Sequence, residues 1–120
     1  MSISLERLES TSLRELSLLL RQDTKNKKLS DITITEVRIT RDLSYMNIYY
    51  TFYNGNKEAY QQALEDSKGY IRKELAKRIK ARKMPELVFK YDESLAYGNH
   101  IEDLIVKIHD DEKKLNNNNN

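Results

Sequence analysis

Apolar residues near the start of the chain fall at Leu5, Leu8, Leu16 and Leu19 with charges between them, close to helical spacing, and predict a first amphipathic helix over residues 4–21. The polar, basic stretch from Asp23 to Leu29 reads as a loop. The period then changes. In I-T-I-T-E-V-R-I-T, Ile32 and Ile34 share one parity while Val37 and Ile39 share the other, so strict alternation breaks near Glu36. A β-bulge there would return both pairs to one core face. After a turn at Arg41–Ser44, Met46, Ile48, Tyr50 and Phe52 alternate with Tyr45, Asn47, Tyr49, Thr51 and Tyr53, a strongly patterned second strand that Asn54-Gly55-Asn56 closes.

Helical periodicity returns from Lys57 to Ala81, with Tyr60, Ala63, Leu64, Ser67, Ile71, Leu75 and Ile79 near one stripe. At about 100° per residue, Arg72, Lys73, Lys77, Lys80 and Lys83 gather on the opposite side. Arg78 and Arg82 project nearer the stripe, so each must snorkel, pair, or lie beyond the helix end. Pro85 stops the pattern, and Glu86–Tyr91 reads as a third strand with Leu87, Phe89 and Tyr91 on one face. Gly98-Asn99 precedes Ile101, Leu104, Ile105 and Ile108, the spacing of a last helix. The chain ends in five asparagines, and residues 113–120 are expected to be a disordered tail. The expected core brings Leu64, Ile71, Leu75, Ile48, Phe52, Phe89 and Leu104 together.

With 120 residues the chain is one domain, placed here at 1–112, and its 33% charged composition indicates a well-solvated exterior. No apolar run approaches the roughly 18 residues of a membrane span. The N-terminus has neither a basic n-region nor an apolar h-region, and with no cysteine there is neither a disulfide framework nor a thiolate metal site, so a cytoplasmic location is expected.

A net charge of +2 conceals an asymmetry: between Lys68 and Lys83 eight cations face the single Glu74, whereas from Met84 onward eight carboxylates face four lysines. A lysine-rich helix face is ordinarily a solvated surface. Here the density exceeds what solubility needs and points to a polyanion such as an RNA backbone. Gly69 lies inside that helix at a propensity loss of about 1 kcal/mol relative to alanine. Two readings of it stay open: close packing or a bend, or a kink that opens helix amides and the basic face to phosphate.

Signatures of catalysis are absent: there is no phosphate-binding G-x-x-x-x-G-K-[ST] loop, no G-x-G-x-x-G, no H-E-x-x-H and no G-x-S-x-G. His100 and His109 stand nine residues apart with no carboxylate pattern around them, and Asp92-Glu93 would point to opposite faces of a strand. No enzyme activity, cofactor or metal is expected.

T-R-D-L-S at Thr40–Ser44, S-x-G-Y-I-R at Ser67–Arg72 and P-E-L-V-F-K-Y-D-E-S at Pro85–Ser94, in that order, resemble the ribosome-binding factor A family over about Arg7 to Glu112. Departures from its usual pattern are Ser67 where alanine is common, Met46 where a small residue is common, Arg7 alone for an arginine-rich entry, and Lys27-Lys28 for a Pro-Arg pair. The resemblance implies an α+β, two-layer, type II KH-like fold in the order helix, strand, strand, helix, kink, helix, strand, helix. A helix-kink-helix at Ser67-Lys68-Gly69 would replace the Gly-x-x-Gly loop that clamps nucleic acid in ordinary KH domains. Strand order stays open. The implied role is a non-enzymatic, monomeric assembly factor that binds the free 30S subunit and assists late 16S rRNA maturation at the 5′ end, with other assembly factors or ribosomal proteins as further partners. Expected RNA contacts are Ser67, Lys68, Gly69, Arg72, Lys73, Lys77, Lys80, Arg82 and Lys83. Two alternatives remain: an adaptor whose acidic end docks a basic ribosomal protein or assembly enzyme, and, more distantly, a small nuclease.

Overall fold

The computed structural model describes residues 4–22 and 26–94. Helix α1 (Leu5–Arg21) begins at Ser4, whose hydroxyl accepts the Arg7 N–H at 3.2 Å, a standard way to satisfy a first-turn donor. It buries Leu16, Leu19 and Leu20, with Leu5 and Leu8 packed at the core margin. The expected loop before the first strand is instead a single helical turn, α2 (Lys27–Ser30), capped by Asn26 and anchored by the buried Leu29. Four residues are too few to display a period.

Strands β1 (Ile32–Ile39) and β2 (Tyr45–Phe52) pair antiparallel, and the register slips between Ile34 and Glu36. That is the bulge the parity change predicts. Ile32, Ile34, Val37 and Ile39 are all buried as a result. Strand β3 (Glu86–Tyr91) pairs parallel to β2, giving the sheet order β1-β2-β3. A parallel partner requires a crossover. It is supplied by α3 (Lys57–Asp66) and α4 (Lys68–Ile79). Gly55, at φ 133°, makes the turn into α3; a Cβ there would sit 2.6 Å from the Tyr60 ring.

The helices cover one face of the sheet, and the core lies between the two layers. Leu16, Leu20, Met46, Ile48, Tyr50, Leu64, Ile71, Leu75 and Leu87 are almost wholly excluded from solvent, and Phe89 nearly so. Burying a Leu or Ile side chain is worth about 1.5–3 kcal/mol, so this cluster is the main stabilising element. Phe52, expected in the core, is only partly buried and stacks on Tyr60 at 4.3 Å between ring centroids. It is the last residue of its strand.

The Tyr50 hydroxyl donates to Gln61 Oε1, and Gln61 Nε2 donates to the Phe89 carbonyl at 3.1 Å, tying α3 to β3. Burial raises the Tyr50 pKa to about 12. At the opposite edge of the sheet, Glu9 Oε2 of α1 accepts the Ile39 N–H at 2.8 Å. Thr35, the bulged residue, donates to Asp92 Oδ2 at 2.6 Å, while Glu93 is exposed and pairs with Lys57 at 3.7 Å. The expected last helix with Leu104, both histidines and the tail lie outside the described residues.

Candidate nucleic-acid interface

The basic segment lies in the second half of the crossover. The break in the helix is at Ser67, one residue wide, with φ −99° and ψ 3°. Hydrogen bonding continues through it: the Ser67 N–H donates to the Ala63 and Leu64 carbonyls at 3.1 and 3.2 Å, and its own carbonyl accepts the Ile71 N–H at 2.8 Å. Ser67 is half-buried. Gly69 therefore follows the break, within the first turn of α4, rather than making it.

Gly69 is exposed, and a Cβ built on it meets nothing within 4 Å outside its own stretch of helix. Neither packing nor a left-handed backbone requires glycine at this position. What distinguishes it is its company. Gly69, Lys73 and Lys77 are spaced i, i+4 and i+8, which places them within about 80° of one another around the helix and spreads them over roughly 12 Å, and Lys80 follows as the C-cap residue. The face therefore begins with bare backbone and continues with cations.

Side-chain bonding sorts the predicted contacts into distinct groups. Lys68 pairs with Glu65 at 2.9 Å and Lys77 with Glu74 at 3.2 Å, both i,i+3 pairs near the surface. Such pairs are worth about 0–1 kcal/mol and exchange readily for another anion. Arg78 pairs with Glu15 at 3.4 Å and donates to Gln22 at 3.1 Å, fastening α4 to α1. Arg82 lies beyond the helix end. Of the three options for these two arginines, one has paired and the other has left the helix.

Arg72 is exposed, yet it does not stand free on the basic face. Its Nε donates to the Pro85 carbonyl at 3.0 Å and a terminal nitrogen donates to the Met84 carbonyl at 2.6 Å, so it holds the entry to β3 against α4. Lys83 is likewise removed from the helical face, donating to the Asp42 carbonyl at 3.3 Å. The expected continuation of the helix to Ala81 stops at Ile79 because Lys80 adopts φ 51°, a left-handed C-cap. Lys73, Lys80 and Arg82 are exposed and have no hydrogen-bond or ion-pair partner among the described residues.

T-R-D-L-S forms the β1–β2 turn. The Thr40 hydroxyl accepts the N–H groups of Ser44 and Tyr45 at 3.1 and 3.0 Å and donates to Asp42 Oδ1 at 2.8 Å. Asp42 also accepts the Ser44 N–H at 3.0 Å. The bond from Thr40, followed by those from Ser44, lowers the Asp42 pKa below its ordinary value. The sequence marks this motif as a turn and as one of the three pieces of the family resemblance, and none of its residues is among the expected RNA contacts.

Among the described residues no group of three or more His, Cys, Asp or Glu could hold a metal ion, and no helix is long and apolar enough to cross a membrane.

A family model described as Ribosome-binding factor A matches residues 4–105. The chain is similar to a ribosome-binding factor A of Phytoplasma mali, with 43% identity over 112 residues, covering 90% of this chain and 98% of the relative. The crystal structure of ribosome-binding factor A from Thermus thermophilus superposes with a TM-score of 0.67 at 24% identity, over 74% of this chain and 97% of that one. A homology model of the Thermus thermophilus factor, fitted into a cryo-EM map of a 30S–RbfA complex, has a TM-score of 0.62 at 24% identity, over 72% and 93% of the two chains. The α+β fold is the KH-like fold of these structures, and its crossover helix is broken at Ser67.

Proposed function

The chain belongs to the ribosome-binding factor A family, and from that premise we propose that it binds the free 30S subunit and assists late maturation of 16S rRNA at its 5′ end. It acts as a non-enzymatic, monomeric, cytoplasmic factor whose contacts are made with RNA backbone. The observation that carries this reading is the exposed α4 face on which bare Gly69 adjoins Lys73, Lys77 and Lys80. Lysines facing phosphates release condensed counterions, a favourable, sequence-independent term. Bare backbone at the head of the same face lets a strand approach closely. Selection among RNAs would then come from shape and accessible backbone.

The test is co-sedimentation with free 30S subunits over a series of salt concentrations. The parent protein should bind with a log–log salt slope that includes about 2–3 from these lysines, at roughly 0.7–0.9 per phosphate contact. Lys73, Lys77 and Lys80 changed together to glutamate should lose binding while keeping the parental circular-dichroism spectrum. A folded triple variant that co-sediments like the parent would exclude this face. Binding to protein-containing particles with none to naked 16S rRNA would favour the adaptor reading.

A further inference from the structure

We infer that the phosphate-contacting surface continues past the end of α4, where Arg41 of the β1–β2 turn joins Lys80 and Arg82 of the α4–β3 connection in a second contact with RNA backbone. This rests on the RNA-binding reading above and extends it to a residue that the pattern of basic runs does not reveal.

Two segments distant in sequence meet at this corner. Lys83 Nζ bonds to the Asp42 carbonyl at 3.3 Å, and the Glu86 N–H bonds to the Ser44 carbonyl at 2.9 Å. Arg72 fixes Met84 and Pro85 from the opposite side. Arg41 precedes Asp42 and Arg82 precedes Lys83, so the Lys83–Asp42 bond holds the two arginines at one end of the sheet. Both are exposed, and neither has a side-chain partner among the described residues.

The corner also holds two carboxylates. Asp42 is occupied by the Thr40 hydroxyl and the Ser44 N–H, donors from its own turn. Glu86 is exposed. Against them stand Arg41, Lys80, Arg82 and Lys83, so the balance remains cationic and suits a phosphate backbone. Arg41 and Arg82 also offer planar, forked donors that match phosphate oxygens.

The backbone adds an independent observation. Leu43 at φ 62° and Lys80 at φ 51° are the non-glycine residues with positive φ among the described residues, and they fall one in each of these two segments. A left-handed conformation is unfavourable by about 1–2 kcal/mol per residue and persists where surrounding bonds enforce it, often at ligand-binding positions. At Lys80 it ends the helix and turns the chain toward the β1–β2 hairpin, which places Arg82 at the corner.

The experiment measures affinity of the full chain for free 30S subunits and for naked 16S rRNA across a salt series, with Arg41→Ala, Arg82→Ala and, as a remote charge control, Arg14→Glu. Each alanine variant should bind about three- to tenfold more weakly at fixed salt and lower the salt slope by about 0.7–0.9 on both ligands, with Arg14→Glu close to the parent. Unchanged affinity and slope in both alanine variants, beside a parent that binds, would overturn the corner and leave the α4 reading standing. Equal losses in Arg14→Glu would reduce the effect to net charge and overturn it. Loss on 30S particles with unchanged binding to naked rRNA would assign the corner to a protein partner and overturn the RNA contact. A parent that binds neither ligand would fail the underlying reading, and this inference with it.

Discussion

Gly69→Ala separates stability from binding at one atom. The added methyl meets nothing within 4 Å, and the backbone is ordinary helix, so the folded state accommodates it without strain. Removing glycine restricts the unfolded chain, and the variant should be more stable by about 0.4–1 kcal/mol. For a domain of this size that raises Tm by about 2–8 °C. Binding should move the other way. If an RNA phosphate lies against the bare helix face, a methyl group at that contact holds it away from the neighbouring Lys73 ammonium and weakens a charge-assisted contact worth about 1.5–3 kcal/mol. The loss corresponds to roughly ten- to a hundredfold in affinity. Thermal unfolding and co-sedimentation with free 30S subunits at fixed salt, on the same preparation, read both effects. A stabilised variant that binds as the parent does would remove Gly69 from the interface, and a destabilised one would refute the open space around it.

Other substitutions probe the frame that carries the basic face. Arg72→Ala should destabilise by about 1–2 kcal/mol through its lost bonds to the Met84 and Pro85 carbonyls, and a urea midpoint equal to the parent's would deny it a structural role. Ile71→Ala and Phe89→Ala, both within the buried layer, should each lose about 2–5 kcal/mol in urea titrations, and losses well under a kilocalorie at both would contradict the packing. Tyr50 has a folded-state pKa raised from 10.0 to about 12, so its contribution is intact below pH 10 and disappears as pH rises through 12. Tyr50→Phe should flatten the decline in stability over that window, and identical alkaline profiles for the two proteins would refute the burial of this hydroxyl.

The bulge near Glu36 was legible because a parity change between Ile34 and Val37 has few other solutions when both residues are apolar. The short turn at Lys27–Ser30 was not, since a single turn leaves no period. Charge at helical spacing located the α4 face, but spacing records direction and not occupancy. Arg72 points outward by angle, and only the arrival of β3 beside α4 presents the carbonyls that capture it. Lys83 left the helical face for a similar reason: nothing about lysine announces the left-handed cap at Lys80, a conformation usually marked by glycine. The proposed part of Arg41 escapes a count along the chain because the segment joined to its turn by the Lys83–Asp42 bond lies some forty residues away.

The side chains of Glu9 and Gln61 have a consequence for the company this protein keeps. β1 and β3 are the two margins of the sheet, and each has an outward backbone group occupied from a helix, the Ile39 N–H by Glu9 and the Phe89 carbonyl by Gln61. The bulge at Thr35 further breaks the regular ladder along β1. A sheet with obstructed margins is a poor template for an incoming strand, whether from a second copy or from an extended peptide tail. Recognition is thereby directed to helix and turn surfaces rather than to the addition of a strand.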